Sequence, residues 1–180
     1  MPEDVFGLPV HPLSVHAPLV LVPLAAILTI VVAASPDRRA KWGWLTAIVA
    51  TAALASTYVA RMSGQDLEEA LFPEALPPLV ADHKELGSNA IWFVLALWLS
   101  VCALLLLDLD RRRRTDISSP ILPTILAVVT IMVAMAAIAQ ILWTGWSGAK
   151  SHWQPAAGVH QGVQPGVQKG EVILVDTRSM

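Results

Sequence analysis

Charge is scarce in this chain, and where it is missing matters more than how much there is. Charged residues make up 14% of the 180, against about 25% in ordinary soluble domains. The stretches 13–34, 42–60, 90–107 and 121–143 contain no Asp, Glu, Lys or Arg. Cysteine is reduced to one residue, Cys102, inside the third of these stretches. A single thiol excludes an intrachain disulfide, a Cys-x-x-Cys-His covalent haem site and an all-cysteine metal site. The formal net charge of −2 excludes the strongly basic surface that a nucleic-acid partner requires.

What is present is apolar. Hydrophobic residues account for 55% of the chain and the mean hydropathy is +0.59. Roughly 20 apolar residues in a helix span the ~30 Å hydrocarbon core of a bilayer, so each uncharged stretch crosses once. The chain is expected to be all-α, a four-helix transmembrane bundle over 13–143. A short N-terminal segment, 1–12, precedes it and an extended tail, 144–180, follows. The first stretch is expected to be a retained helix rather than a signal peptide. Glu3 and Asp4 stand where a basic n-region would be, and the run ends in Ser35-Pro36-Asp37-Arg38-Arg39 rather than a small-x-small cleavage site.

Basic residues orient the bundle. Arg38, Arg39 and Lys41 follow the first stretch, and Arg111 to Arg114 follow the third. By the positive-inside rule both loops face the cytoplasm, which puts both termini on the outer side of the membrane. Trp42 and Trp44 at one end, and Trp143, Trp146 and Trp153 at the other, match indole belts at headgroup level. Pro77-Pro78 opens the third helix, because proline suits a first turn where its missing N–H costs nothing. Gly158, Gly162, Gly166 and Gly170 recur every fourth residue in the tail. Such a segment gains order by lying on a partner, so 156–180 is expected to run over a neighbouring membrane subunit.

The histidines are the one chemical constellation. His11, His16, His83, His152 and His160 all fall on or near the outer face of this topology. Imidazole is the side chain best suited to bind haem iron or a transition metal as a neutral ligand. His16, in the first turn of the first helix, and His83, opening the third, are the expected axial pair of a b-type haem. Arg61 and Lys84 lie at the same level to neutralise its propionates. Copper or zinc among His11, His16, His83 and His152 is the other form of this idea. A histidine at a helix end also serves simply by bonding a carbonyl.

Leu8-Pro9-Val10-His11-Pro12, followed by Val15-His16-Ala17-Pro18-Leu19, resembles the opening motif of a bacterial four-helix membrane family, domain of unknown function 2231. Asp82-His83-Lys84-Glu85-Leu86-Gly87 fits its second motif, and Thr144-Gly145-Trp146-Ser147-Gly148-Ala149-Lys150 resembles the segment after its fourth helix. The likeness spans residues 8 to 153 and carries over His11, His16 and His83. Trp146 stands where relatives often have a histidine. Fusion of relatives to Rieske-type or cytochrome-type domains implies membrane redox chemistry. Two functional classes follow. One is a haem-binding electron-transfer subunit exchanging electrons with quinone or an outer redox protein. The other is a cofactor-free accessory subunit of a larger complex. No nucleophile–base pair or carboxylate dyad lies at membrane depth, so independent catalysis is not expected.

Overall fold

The computed structural model describes residues 4–5, 8–113 and 121–153. A two-residue antiparallel pair, β1 (Asp4–Val5) with β2 (Leu8–Pro9), leads into the short helix α1 (Val10–Ser14). Four long helices follow: α2 (His16–Ala33), α3 (Pro36–Leu71), α4 (Pro78–Arg113) and α5 (Ile121–Trp153). Among the described residues, four helical segments are long and apolar enough to cross a membrane. The protein is an all-α, multi-pass membrane protein. Going round the bundle the order is α2, α3, α4, α5, each packed on its two neighbours, with α2 and α4 barely touching.

Helix boundaries differ from expectation in one direction. The helix over 42–60 is part of α3, whose 36 residues begin at Pro36 and run to Leu71. Pro36 takes the first helical position after Ser35, so α2 and α3 are separated by Ala34 and Ser35 alone. At the far end α3 continues past Arg61 to Leu71. Helix α4 starts at Pro78 as expected but continues to Arg113. Helix α5 runs on to Trp153, so 144–153 is helical and does not belong to an extended tail. Apolar runs mark where a helix meets lipid, and polar helix beyond the bilayer carries no such signal. The extended tail expected over 156–180 lies outside the described residues.

Small residues make the core. The buried face of α3 is Gly43, Thr46, Ala50, Ala53, Thr57, Ala60 and Ser63, joined by Arg39. That of α5 includes Thr130, Ala134, Ala137, Ile141 and Ser147. Without a hydrophobic drive between helices in lipid, close packing of small side chains is what holds them. Large apolar residues face outward instead, among them Ile48, Trp92, Leu106, Met132 and Leu142. Core hydroxyls bond back to their own helix: Thr29 Oγ1 donates to the Ala25 carbonyl at 2.7 Å and Thr57 Oγ1 to that of Ala53 at 2.8 Å. Thr130 Oγ1 is the exception, fully buried with no partner among the described residues. A buried hydroxyl without a partner costs on the order of 1 kcal/mol or more. Thr130→Val is therefore expected to raise the thermal unfolding midpoint in detergent by a few degrees, and a lowered midpoint would contradict this.

The end of the bundle opposite the histidines is tied by Arg39. Its Nε donates to the Val32 carbonyl at 3.1 Å and its Nη2 to that of Ala33 at 3.2 Å. Its Nη1 lies 3.9 Å from Asp108 Oδ1. One guanidinium thus closes the C-terminal turn of α2 and reaches α4 from α3.

Candidate functional site

The starts of α1 and α4 and the ends of α3 and α5 meet at one end of the bundle, and two imidazoles face each other there. The ring centroids of His11 and His83 are 6.4 Å apart, with their planes inclined at 63°. Both rings are half-buried. Each is held by the helix beside it, and the two holds are alike.

His11 Nδ1 lies 3.1 Å from the Ala60 carbonyl and 3.2 Å from Ser63 Oγ on α3. A carbonyl only accepts, so Nδ1 carries the proton and Nε2 keeps its lone pair. Ser14 Oγ, donating to the His11 carbonyl at 3.0 Å, sits 2.8 Å from Ser63 Oγ and locks α1 onto α3. His83 Nδ1 lies 2.9 Å from Ser147 Oγ on α5. That hydroxyl donates to the Thr144 carbonyl at 2.8 Å, so it accepts from Nδ1–H, and again Nε2 keeps its lone pair. Among the described residues no hydrogen bond reaches either Nε2.

Glycines make room for both rings. A Cβ at Gly64 would come within 3.0 Å of His11 Cε1, and one at Gly148 within 2.9 Å of His83 Cε1. The first distance is tighter than nearly all real carbon contacts and the second is closer than real ones come, and each ring is held by its Nδ1 to the helix that carries the glycine. Gly87, by contrast, has only Thr144 Cγ2 at 3.9 Å.

His16 is not part of this pair. It is exposed, and the imidazole beside His83 is that of His11. The buried face of α2 explains the exchange: Pro18, Ala25 and Val32 are spaced by seven, and stepping back seven more from Pro18 reaches His11. His16 lies off that stripe. Extending the buried period past the proline-containing first turn would have found His11. Among the described residues no group of three or more His, Cys, Asp or Glu could hold a metal ion. The side chain of His152 lies outside the described residues, as does His160.

The two cations expected at propionates are already engaged. Lys84 Nζ donates to Glu68 Oε1 at 2.6 Å, a pair in which the lysine is half exposed. Arg61 Nη1 donates to the Ser88 carbonyl at 3.4 Å. The Leu86 carbonyl receives Gln140 Nε2 at 3.0 Å, which ties α5 to α4 one turn beyond the histidines. A cleft of about 290 Å³ opens between α4 and α5, lined by Asp82, Glu85, Trp143 and Lys150 and backed by Ser147.

A family model described as a predicted membrane protein (DUF2231) matches residues 7–161. No curated protein and no solved structure matches the chain.

Proposed function

The chain belongs to the DUF2231 family of predicted membrane proteins, and from that premise we propose that it is an electron-transfer component holding a b-type haem through His11 and His83. The observation that carries this reading is the pair of imidazoles with centroids 6.4 Å apart. Rings this close would each be able to offer Nε2 to one iron held between them. Each Nδ1 is tied to an acceptor on the neighbouring helix. That is the outer contact which orients metal-bound imidazoles and leaves Nε2 as the ligand atom. Bound there, the group supplies one-electron redox chemistry at a potential tuned by its ligands and burial.

Lys84 and Arg61 remain the candidates for the propionates. In the Lys84–Glu68 pair the lysine is half exposed, and ion pairs open to water contribute about 0–1 kcal/mol, so exchanging one carboxylate for another costs little. Electrons would come from a quinone or an outer redox protein meeting this end of the bundle. The amphipathic cleft backed by Ser147 lies beside the His83 half of the pair.

The test is a visible spectrum of the purified protein, oxidised and dithionite-reduced. Sharp α and Soret bands on reduction are expected, and a colourless protein without iron overturns the reading. A cofactor-free accessory subunit is the second reading. It is favoured by the hydrogen bonds that both rings already make between helices, which by themselves clamp α1 to α3 and α4 to α5.

In this reading the histidine end lies on the outer face of a bacterial inner membrane, which the cluster of basic residues at the other end supports. Cysteine probes near Arg39 and Arg113 should be shielded from an impermeant thiol reagent in intact cells, and a probe near Glu69 should react. Labelling at Arg113 from outside reverses the orientation.

A further inference from the structure

The two histidine sites repeat each other residue by residue. Aligning α3 with α5 at a fixed offset of 84 pairs residues 46–64 with 130–148, and eight of these nineteen pairs are identical. They are Thr46 with Thr130, Val49 with Val133, Ala50 with Ala134, Ala52 with Ala136, Ala53 with Ala137, Ala55 with Ala139, Ser63 with Ser147 and Gly64 with Gly148. The buried positions coincide as well: Thr46, Ala50 and Ala53 are buried, and so are Thr130, Ala134 and Ala137.

The other two helices correspond at an offset of 72. His11, Pro18, Ala25 and Val32 are spaced by seven on one stripe, and His83, Ala90, Leu97 and Leu104 on the other. Apart from the two half-buried histidines, every one of these residues is buried. Val22 and Val94 correspond too, both buried. Round the bundle, α2 with α3 and α4 with α5 are the two hairpins, and each helix of one packs on a helix of the other. Exchanging the two hairpins about an axis along such a bundle would exchange the two imidazoles as well.

The hydrogen bonds obey the same exchange. His11 contacts Ser63 Oγ, and His83 contacts Ser147 Oγ. Ser63 Oγ lies 3.0 Å from the Ala60 carbonyl, and Ser147 Oγ lies 2.8 Å from that of Thr144, which is the corresponding residue. The glycine after each serine is the one whose Cβ would strike the ring. Backbone coincidence alone follows from two similar hairpins. A coincidence of His, Ser and Gly at one end, with matching polar contacts, points to one duplicated function.

We propose that the bundle is a duplicated helix hairpin, in which Ser63 and Ser147 are equivalent positioning residues. Together with the bare steps at Gly64 and Gly148, they keep Nε2 of His11 and of His83 available to a single ligand between the hairpins. The inference rests on the haem reading only for the identity of that ligand. Each serine, its own proton given to the carbonyl three residues before it, is left to accept from Nδ1–H, and each glycine lets the ring lie against the neighbouring helix. Neither half-site is complete alone, because each supplies one nitrogen.

The test uses the full chain in nanodiscs with ¹⁵N-labelled histidine, alongside hemin titration. In the ligand-free protein the ring nitrogens of His11 and His83 should both report a protonated Nδ1 and a bare Nε2. Ser147→Ala should disturb the His83 signals, and Ser63→Ala those of His11. Each should weaken hemin binding roughly tenfold, the usual cost of removing an outer partner of a ligand. Gly64→Ala and Gly148→Ala should shift the same rings by bulk rather than by loss of a bond, and Gly87→Ala should shift neither. The serine variants add no volume, so they report even where an alanine at a glycine step impairs folding. Protonated Nε2 in the wild type, or effects confined to one hairpin, overturn the proposal. If the rings behave as stated but hemin does not bind the wild type, the haem reading fails and the duplicated site stands.

Discussion

His11→Ala and His83→Ala are each expected to abolish the reduced α and Soret bands, while His16→Ala leaves them intact. The expectation is all-or-none, because a haem held by both imidazoles would lose one of its two protein ligands in either variant. His11 and His83 face each other at 6.4 Å, whereas His16 is exposed two residues after α1 ends. His16→Ala is thus the informative control. It sits in the same proline-flanked segment, so a merely structural disturbance of the N-terminal turn would affect it too. The outcome is read from reduced-minus-oxidised spectra of equal amounts of folded protein. Loss of the bands in His16→Ala, with their survival in His11→Ala, would return the site to the pair suggested by the apolar stretch alone. Haem retained by all three variants would place the ligands elsewhere.

The largest stability effect is expected at the opposite end, where Arg39→Ala should destabilise the bundle by about 3 kcal/mol. Arg39 is a charged residue within the buried set, with 7% of its surface exposed. It satisfies the carbonyls of Val32 and Ala33, two of the last in α2, which have no helical partner of their own. Removing the guanidinium leaves both carbonyls short of a donor and takes from Asp108 a nearby counter-charge. Each unsatisfied buried acceptor costs about 1–3 kcal/mol, so the two carbonyls alone account for most of the effect. Arg39→Lys keeps the charge but not the fork and should recover only part of the loss. Unfolding in mixed detergent–SDS micelles measures the difference. A change within 0.5 kcal/mol, the range of about ±0.5 kcal/mol usual for surface substitutions, would show that water replaces the arginine freely at this end.

Much of this protein was legible from the order of its residues. Four uncharged runs gave four crossing helices, because a bilayer permits little else across its core. Pro78 as a helix start and His83 on a bundle-facing stripe were also readable, since proline geometry and helical period are local properties. Helix lengths beyond the lipid were not: residues 61–71 and 144–153 are polar enough that hydropathy is silent, and only packing against neighbouring helices keeps them helical. The identity of the pair at the site needed the fold as well. His11 and His16 are both imidazoles near one helix start, and sequence chemistry cannot rank them. The choice is made by which residue continues the seven-residue stripe through Pro18, Ala25 and Val32 onto α3, where Ser63 and Gly64 receive its ring. The 84-residue echo between α3 and α5 was present in the sequence throughout. It acquired meaning only when the bundle brought Ser63 and Ser147 to the same end, each beside a histidine contributed by a different helix. Composition and period determined that four helices cross the membrane. Which side chains meet was decided by the tertiary packing, because contact between residues far apart in the chain depends on how helices face one another.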